Sequence, residues 1–226
     1  MIRVLGVDAC RAGWVAVELR DGVFAGAHLH LALAELLDAA GEPAAVGVDI
    51  PLGLLDTGWR RADTLAAGRL GPRRSSVFRV PPRAVWEIEP YAAANAYCRT
   101  LPGGAGFSVQ AYGLRAKLLE ANACADSGRY RLYEVHPEVS FATLAGAHLP
   151  YPKHTWAGHA LRRRLLDGAG IAVPDDLGAA GRAGPDDVLD AAAAAWSAHR
   201  IATGRGGSLP DPPEVNERGQ RLAIWY

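Results

Sequence analysis

Cysteine is scarce in this sequence, and long apolar runs are absent. Three cysteines lie far apart among 226 residues, with no Cys-x-x-Cys pair, so neither a disulfide framework nor a zinc knuckle is expected. No run of 18 apolar residues occurs, and the β-rich segment that begins at Ile2 leaves no room for a signal peptide. We therefore expect a cytoplasmic globular protein that does not enter a membrane.

An excess of charge of either sign is also missing, because 24 basic residues balance 24 acidic ones. A protein that coats nucleic acid without specificity needs a strong basic excess, so this class is excluded. Half of the residues are apolar and 21% are charged, which is typical of a folded chain and not of a disordered one. The length suits a single domain, which we predict over 1–226.

The order of the predicted elements favours an α/β fold. Alternating or β-rich segments, a turn at Asp21-Gly22 and one amphipathic helix predict the order β-β-β-α-β. These elements are placed at 2–8, 14–20, 23–30, 32–40 and 44–50, and together they predict a mixed central sheet that starts with three antiparallel strands and continues with parallel ones. The region 55–130 has helical stretches between Pro/Gly loops and no strong strand signal, so we predict a mostly helical insertion there.

The remainder of the chain predicts one more central strand and further helices. The strand is expected at 131–135, and the helices are expected near 137–145, 156–168 and 186–202. The tail 222–226 is consistent with either a short edge strand or a packed terminus. Five successive alanines in the last helix would allow it to pack closely on the sheet.

Two of the predicted strands end in an aspartate, Asp8 in the first and Asp49 in the fourth. A carboxylate at the end of a buried strand needs a cation or hydrogen bonds, because an unpaired buried charge is costly. Each could simply cap a turn. If the two strands are neighbours, however, both carboxylates lie at the sheet edge where α/β proteins bind ligands.

Further acidic residues follow later in the chain. Asp187 and Asp190 are three residues apart, so on a helix they share a face and could bind a metal ion, or they could only complement the helix dipole. Glu134 and His136 lie at the end of the later strand and face the same side of it. Each is a possible ligand or proton carrier, or only a polar cover of the sheet.

The positive charge is concentrated in the predicted insertion. Residues 60–83 contain seven arginines and one acid, whereas residues 1–59 contain eight acids and three arginines. The segment Arg-Arg-Ser-Ser-Val-Phe-Arg at 73–79 offers guanidinium groups and hydroxyls that suit phosphate oxygens. The alternative is a solvated face that forms ordinary salt bridges.

Five blocks of the sequence resemble, in order, the conserved blocks of one family. They are Gly-Val-Asp-Ala-Cys-Arg-Ala-Gly-Trp (6–14), Val-Asp-Ile-Pro-Leu-Gly (48–53), Arg-Arg-Ser-Ser-Val-Phe (73–78), Glu-Val-His-Pro-Glu-Val-Ser-Phe (134–141) and Asp-Asp-Val-Leu-Asp-Ala (186–191). The chain thus resembles the bacterial and archaeal proteins of domain-of-unknown-function family 429, described as predicted nucleases of RNase H-like fold.

The resemblance implies a catalytic centre of acids on the first strand, the fourth strand and the last helix. Those positions correspond to Asp8, Asp49, and Asp187 with Asp190, to which we add Glu134 and His136 as catalytic residues. Ala9-Cys10 follows the first acid, where related resolvases often have glycine. Substrate binding is assigned to Arg11, Arg73, Arg74, Ser75, Ser76 and Arg79.

The leading hypothesis is a nuclease or other phosphodiesterase that binds two divalent ions, Mg²⁺ or Mn²⁺, between Asp8, Asp49, Asp187 and Asp190. Its partner is a nucleic acid or a nucleotide, of a type that the sequence leaves open. Two alternatives remain. One is a nucleotide-binding kinase or ATPase of the actin and sugar-kinase superfamily, and the other is a non-catalytic binding protein stabilised by metal.

Overall fold

Five strands form a mixed central sheet in the computed structural model, which describes residues 1–226. They are β1 (Arg3–Cys10), β2 (Gly13–Arg20), β3 (Val23–His30), β4 (Ala45–Asp49) and β5 (Leu132–Glu134). The order across the sheet is β3-β2-β1-β4-β5, with β1, β2 and β3 antiparallel and β4 and β5 parallel to β1. The predicted α/β class, mixed sheet and β-β-β-α-β order are confirmed.

Nine α-helices accompany the sheet. They are α1 (Leu33–Ala40), α2 (Arg61–Leu70), α3 (Arg83–Trp86), α4 (Tyr91–Thr100), α5 (Val109–Gly113), α6 (Arg115–Asp126), α7 (Pro137–Ala145), α8 (Trp156–Gly168) and α9 (Pro185–Ala202), with 3-10 helices at Gly71–Ser76 and Gly178–Arg182. Residues 55–130 contain helices and no strand. Their status as an insertion within one domain stays a prediction. None of the helices combines the length and the apolar character needed to cross a membrane.

Successive residues of the central strands point to opposite faces of the sheet, and each face is covered by helices. Val4 of β1 belongs to a core formed with α7, α8 and α9, whereas Leu5 belongs to a core formed with α1 and α6. Because β1 is buried on both faces, it is a nearly continuous apolar run, which is the usual pattern of a central strand.

The last long helix packs directly on the backbone of the sheet. A Cβ atom at Gly6 of β1 would lie 1.9 Å from the backbone nitrogen of Ala195, and one at Gly47 of β4 would lie 2.6 Å from the carbonyl oxygen of Ala194. Both positions therefore require glycine, and the alanines of α9 provide the matching flat surface, as the sequence predicted. This contact fixes α9 over the middle of the sheet.

A hairpin near the carboxyl end of the chain was not predicted in full. Strands β6 (Ser208–Val215) and β7 (Arg221–Trp225) form a separate two-stranded sheet, which touches the central one through a bridge between Trp225 and Val135. The tail is thus a strand, but its main partner is β6. Strand β6 contains three prolines. Proline has no backbone N–H to donate, so the sequence alone argues against a strand here.

The close contact of α9 with β1 yields a stability prediction. Gly6→Ala should lower the free energy of unfolding by about 1–3 kcal/mol, because the new methyl group overlaps backbone atoms that cannot move independently. Gly68→Ala is the matched control, since Gly68 lies in α2 with open space around it and alanine favours helix by about 1 kcal/mol. Urea denaturation of both variants measures the difference. Equal stabilities would contradict the packing described here.

Candidate functional site

Three aspartates meet at the carboxyl edge of the parallel strands. Asp8 and Asp49 are direct partners in the last registered pair between β1 and β4, so their side chains leave the sheet at the same level. Asp190 reaches the same point from α9. One carboxylate oxygen from each residue lies within 4.8 Å of the others. The structure therefore brings together three of the four aspartates that the sequence assigned to a metal centre.

The three carboxylates are held in an environment that disfavours negative charge. Asp8 is 6% exposed and Asp190 is 3% exposed. Burial raises the pKa of Asp8 well above its usual value, and the charges of Asp49 and Asp190 raise it further. Burial also raises the pKa of Asp190 to about 6, although the nearby Lys153 opposes this shift. A group of like charges in such a place needs a cation to be stable in its ionised form.

The donor set fits a hard divalent cation. All three donors are carboxylate oxygens, which Mg²⁺ and Mn²⁺ prefer, and no cysteine lies among them. Two oxygens bound to one Mg²⁺ at about 2.1 Å are about 3.0 Å apart when adjacent and about 4.2 Å apart when opposite. Three oxygens within 4.8 Å of one another can therefore share one ion once the side chains move inward. Asp8, Asp49 and Asp190 are the residues that could hold the ion.

Asp187 has a different role in the local structure. Its Oδ2 atom accepts a hydrogen bond of 3.1 Å from the backbone N–H of Gly184, the residue that precedes the first turn of α9. The residue lines the same cavity as the three aspartates, but it lies outside their group. The two acids of the Asp-x-x-Asp pair are thus used differently, and the assignment of Asp187 as a metal ligand stays a prediction.

Lys153 is the site residue that sequence reasoning missed. It lies between α7 and α8, and its Nζ atom is 2.5 Å from Oδ2 of Asp190 and 3.9 Å from Oδ2 of Asp186. No motif surrounds it. The only available signal was composition, because Lys153 is one of two lysines among 24 basic residues.

Glu134 is tied to the insertion by a buried ion pair. Its Oε1 atom is 2.5 Å from Nη2 of Arg60, and its Oε2 atom accepts a hydrogen bond of 2.8 Å from the N–H of Leu52. Arg60 also contacts Asp63 at 3.1 Å. Both oxygens of Glu134 are therefore occupied. The residue lines the cavity, and its predicted catalytic role is neither supported nor contradicted by these contacts.

His136 links the end of β5 to the arginine-rich segment. Its Nε2 atom is 3.1 Å from the carbonyl oxygen of Ser76. A carbonyl only accepts, so Nε2 carries the proton and Nδ1 does not. Burial lowers the pKa of His136, and Nδ1 is buried without a partner. The ring is thus a neutral group that holds the segment 71–76 against the cavity.

The predicted substrate-binding residues separate into two groups. Arg73, Ser75 and Ser76 line a cavity of about 670 Å³ that also contains the three aspartates. Arg73 is anchored by a hydrogen bond of 3.3 Å from its Nε atom to the carbonyl oxygen of Leu149. These residues belong to a 3-10 helix and not to a loop.

The other three arginines do not line this cavity. Arg79 stacks on the ring of Trp59 at 4.1 Å and donates to the carbonyl oxygen of Gly103. Arg74 is exposed, and Arg11 is exposed in the turn between β1 and β2. A direct role for these three residues in the cavity would require a substrate that extends beyond it.

The repulsion within the acidic group yields a prediction on stability and pH. In the presence of a chelator at pH 7.5, Asp8→Asn should raise the melting temperature by about 2–4 °C, the shift that corresponds to about 1 kcal/mol in a chain of this size. A carboxylate with a raised pKa binds its proton more tightly in the folded state, so wild-type stability falls as the pH rises from about 4 through the raised pKa values.

The gain from Asp8→Asn should therefore shrink as the pH falls toward 4, because the raised pKa values keep the acids protonated in the folded state while an unfolded aspartate, with a pKa of about 3.9, is about half protonated. Melting curves from pH 4 to 8 measure this, with Glu35→Gln on the exposed surface of α1 as the control. A difference between Asp8→Asn and wild type that does not change with pH would show that the charges of the cluster do not repel.

Comparison with known sequences confirms the family resemblance noted above. Searches of curated proteins and of solved structures each found no match. A family model matches residues 6–215, a span that includes most of β1 and all of β4, the arginine-rich segment, Lys153 and α9. The chain therefore belongs to the family described as "Protein of unknown function (DUF429)".

Proposed function

We propose that this protein is a metal-dependent phosphodiesterase of RNase H-like fold that acts on nucleic acid. The observation that carries the proposal is the meeting of Asp8, Asp49 and Asp190 within 4.8 Å, inside a cavity lined by hydrogen-bond donors. The fold assignment is supported by the sheet order β3-β2-β1-β4-β5 and by the position of the third acid on the last long helix.

Phosphodiester hydrolysis needs a site for a metal ion and hydrogen-bond donors for the phosphate oxygens, and residues of the cavity suit both roles. When bound to the three aspartates, Mg²⁺ or Mn²⁺ would polarise a phosphate oxygen and lower the pKa of a water molecule. The guanidinium group of Arg73 and the hydroxyl of Ser75 line the same cavity and are available to phosphate oxygens, whereas the hydroxyl of Ser76 donates to the carbonyl oxygen of Arg73 at 2.9 Å. His136 holds this segment through its hydrogen bond to the carbonyl oxygen of Ser76.

A basic and aromatic segment beside the cavity favours nucleic acid as the substrate. Residues 150–166 contain no acid and include Lys153 and three successive arginines at 162–164, of which Arg162 is buried against Glu138 and Arg163 pairs with Asp175. Trp156, the first residue of α8, is 88% exposed, and Tyr151 is 48% exposed. Trp156 is three residues from Lys153, which limits their Cα separation to about 11 Å. Exposed aromatic rings near a basic groove are suited to stacking on unpaired bases.

Cleavage of labelled oligonucleotides tests the proposed activity. With Mn²⁺ present, wild type should cleave single-stranded or duplex substrate, and Asp190→Asn should lower kcat by about 100-fold or more, a loss typical for the removal of one electrostatic stabiliser. Asp187→Asn is the matched variant on the same helix. Its side-chain oxygen can still accept from Gly184, so we expect a change within about tenfold.

Two outcomes of the cleavage assay would change the assignment. If wild type cleaves no oligonucleotide under any metal condition, the phosphodiesterase proposal fails. If Asp187→Asn loses as much activity as Asp190→Asn, then Asp187 belongs to the catalytic group, as the sequence predicted.

Binding measurements separate the electrostatic contacts from the stacking contacts. In a chelator, Arg73→Ala should weaken binding of a single-stranded oligonucleotide and reduce the slope of log K against log salt by about 1, because one fewer counterion is released. Trp156→Ala should weaken binding by about 1–3 kcal/mol without changing that slope. Fluorescence anisotropy between 50 and 300 mM salt measures both. If neither variant changes the affinity, the substrate lies elsewhere.

A further inference from the structure

The acidic group already contains a cation of the protein itself. The ammonium of Lys153 contacts Asp190 at 2.5 Å, and Lys153 lines the same cavity as Asp8 and Asp49. Asp190 is buried, so this contact replaces water around one of its oxygens. The chain uses arginine at 22 of its 24 basic positions, and a compact ammonium is the cation that fits beside a small ion.

We propose that the centre binds a single divalent ion and that the ammonium of Lys153 permanently takes the place of a second one. This inference rests on the proposed function and differs from the two-ion arrangement that the sequence suggested. The charges balance in this arrangement. Three carboxylates carry three negative charges, and one divalent ion together with one ammonium carries three positive charges.

The carboxylates that could bind a second ion are committed to other partners. Asp187 accepts the N–H of Gly184 at 3.1 Å, at the start of α9. Glu134 has one oxygen on Arg60 and the other on the N–H of Leu52. To bind a metal, Glu134 would have to leave a hydrogen bond that holds an element in place, whereas Asp187 keeps one oxygen without a partner but lies outside the compact donor group. Only Asp8, Asp49 and Asp190 form a compact donor group.

The loop that carries Lys153 is held by local structure and not by the ion pair alone. The carbonyl oxygen of Pro152 accepts from the hydroxyl of Thr155 at 2.8 Å, and a Cβ atom at Gly158 would lie 1.9 Å from that same oxygen. The backbone before Lys153 therefore packs directly on the first turn of α8. A lysine on such a support is placed beside Asp190 before any ion arrives.

The middle of α8 is tied in turn to a residue that lines the cavity. The buried guanidinium of Arg162 donates to Oε1 of Glu138 at 2.6 Å and to the carbonyl oxygen of Tyr151 at 3.3 Å. Glu138 lies at the start of α7 and lines the cavity. The segment that carries Lys153 is therefore held in place from both sides, so the ammonium is fixed beside Asp190.

Titration with Mn²⁺ tests this inference without any measurement of activity. Calorimetry should give one ion per chain for wild type, and electron paramagnetic resonance should show no coupling between two Mn²⁺ ions. Lys153→Met should bind Mn²⁺ at least about tenfold more tightly, since it removes a positive charge that repels the ion. In a chelator, the same variant should melt at a lower temperature, because Asp190 loses its only ionic partner within 3 Å.

Two further variants complete the experiment. Lys117→Met removes the other lysine, which pairs with Glu120 and stacks on Trp14 away from the cavity, so its Mn²⁺ affinity should equal that of wild type. Lys153→Arg keeps the charge and should keep one ion per chain with an affinity within about threefold of wild type. Even if Lys153→Met does not fold, two ions bound per wild-type chain would overturn the inference.

The possible results are distinguishable. Two ions bound by wild type, or an unchanged or weaker affinity in folded Lys153→Met, would overturn this inference and leave the proposed phosphodiesterase intact. No Mn²⁺ bound by wild type up to millimolar concentration would overturn the proposed function itself. One ion in wild type and tighter binding in Lys153→Met support both.

Discussion

The direct contact between α9 and the backbone of β1 and β4 is the constraint on which the site depends. Gly6 and Gly47 lack the Cβ atoms that would separate the helix from the sheet. The helix is therefore fixed close enough for Asp190 to reach Asp8 and Asp49. A side chain at either glycine would move the third carboxylate away from the other two. The geometry of the acidic group is thus a consequence of the packing of α9 on Gly6 and Gly47, each of which precedes its aspartate by two residues.

The acidic group is unfavourable for stability when no cation is present. Burial raises the pKa of all three aspartates, and each is affected by the charge of at least one acidic neighbour. The lysine partner relieves only part of this repulsion. Proteins tolerate such an arrangement where it serves function and where surrounding structure holds it. Here the surrounding structure consists of α9 on one side and the Arg162–Glu138 ion pair on the other.

Much of the sheet and most of the acidic group could be predicted from the sequence. The strands with apolar alternation, the turn at Asp21-Gly22 and the aspartates at the ends of two strands all have local signals. Strand β1 continues to Cys10, so Asp8 lies two residues before its end. Asp8 is still the last residue of β1 that pairs with β4, which explains why its position was identified correctly.

The remaining features depend on contacts between distant segments, which leave no local pattern. Lys153 is 37 residues from Asp190 and has no repeated spacing with it. Arg60 is 74 residues from Glu134, and its ion pair changes Glu134 from a free carboxylate into an anchored one. The proline-rich strand β6 was missed because its own composition does not favour a strand. It becomes a strand through its pairing with β7.

The hairpin β6–β7 has a consequence for how the protein is made. Glu214 accepts a hydrogen bond from the N–H of Arg61 at the start of α2, and Asn216 donates to the carbonyl oxygen of Leu54. Ile224 of β7 contributes to the cavity wall. On the ribosome, the central sheet and α9 emerge before this hairpin. The wall of the cavity is therefore complete only after residue 224 has been synthesised, 34 residues beyond Asp190, the last aspartate of the acidic group (224 − 190).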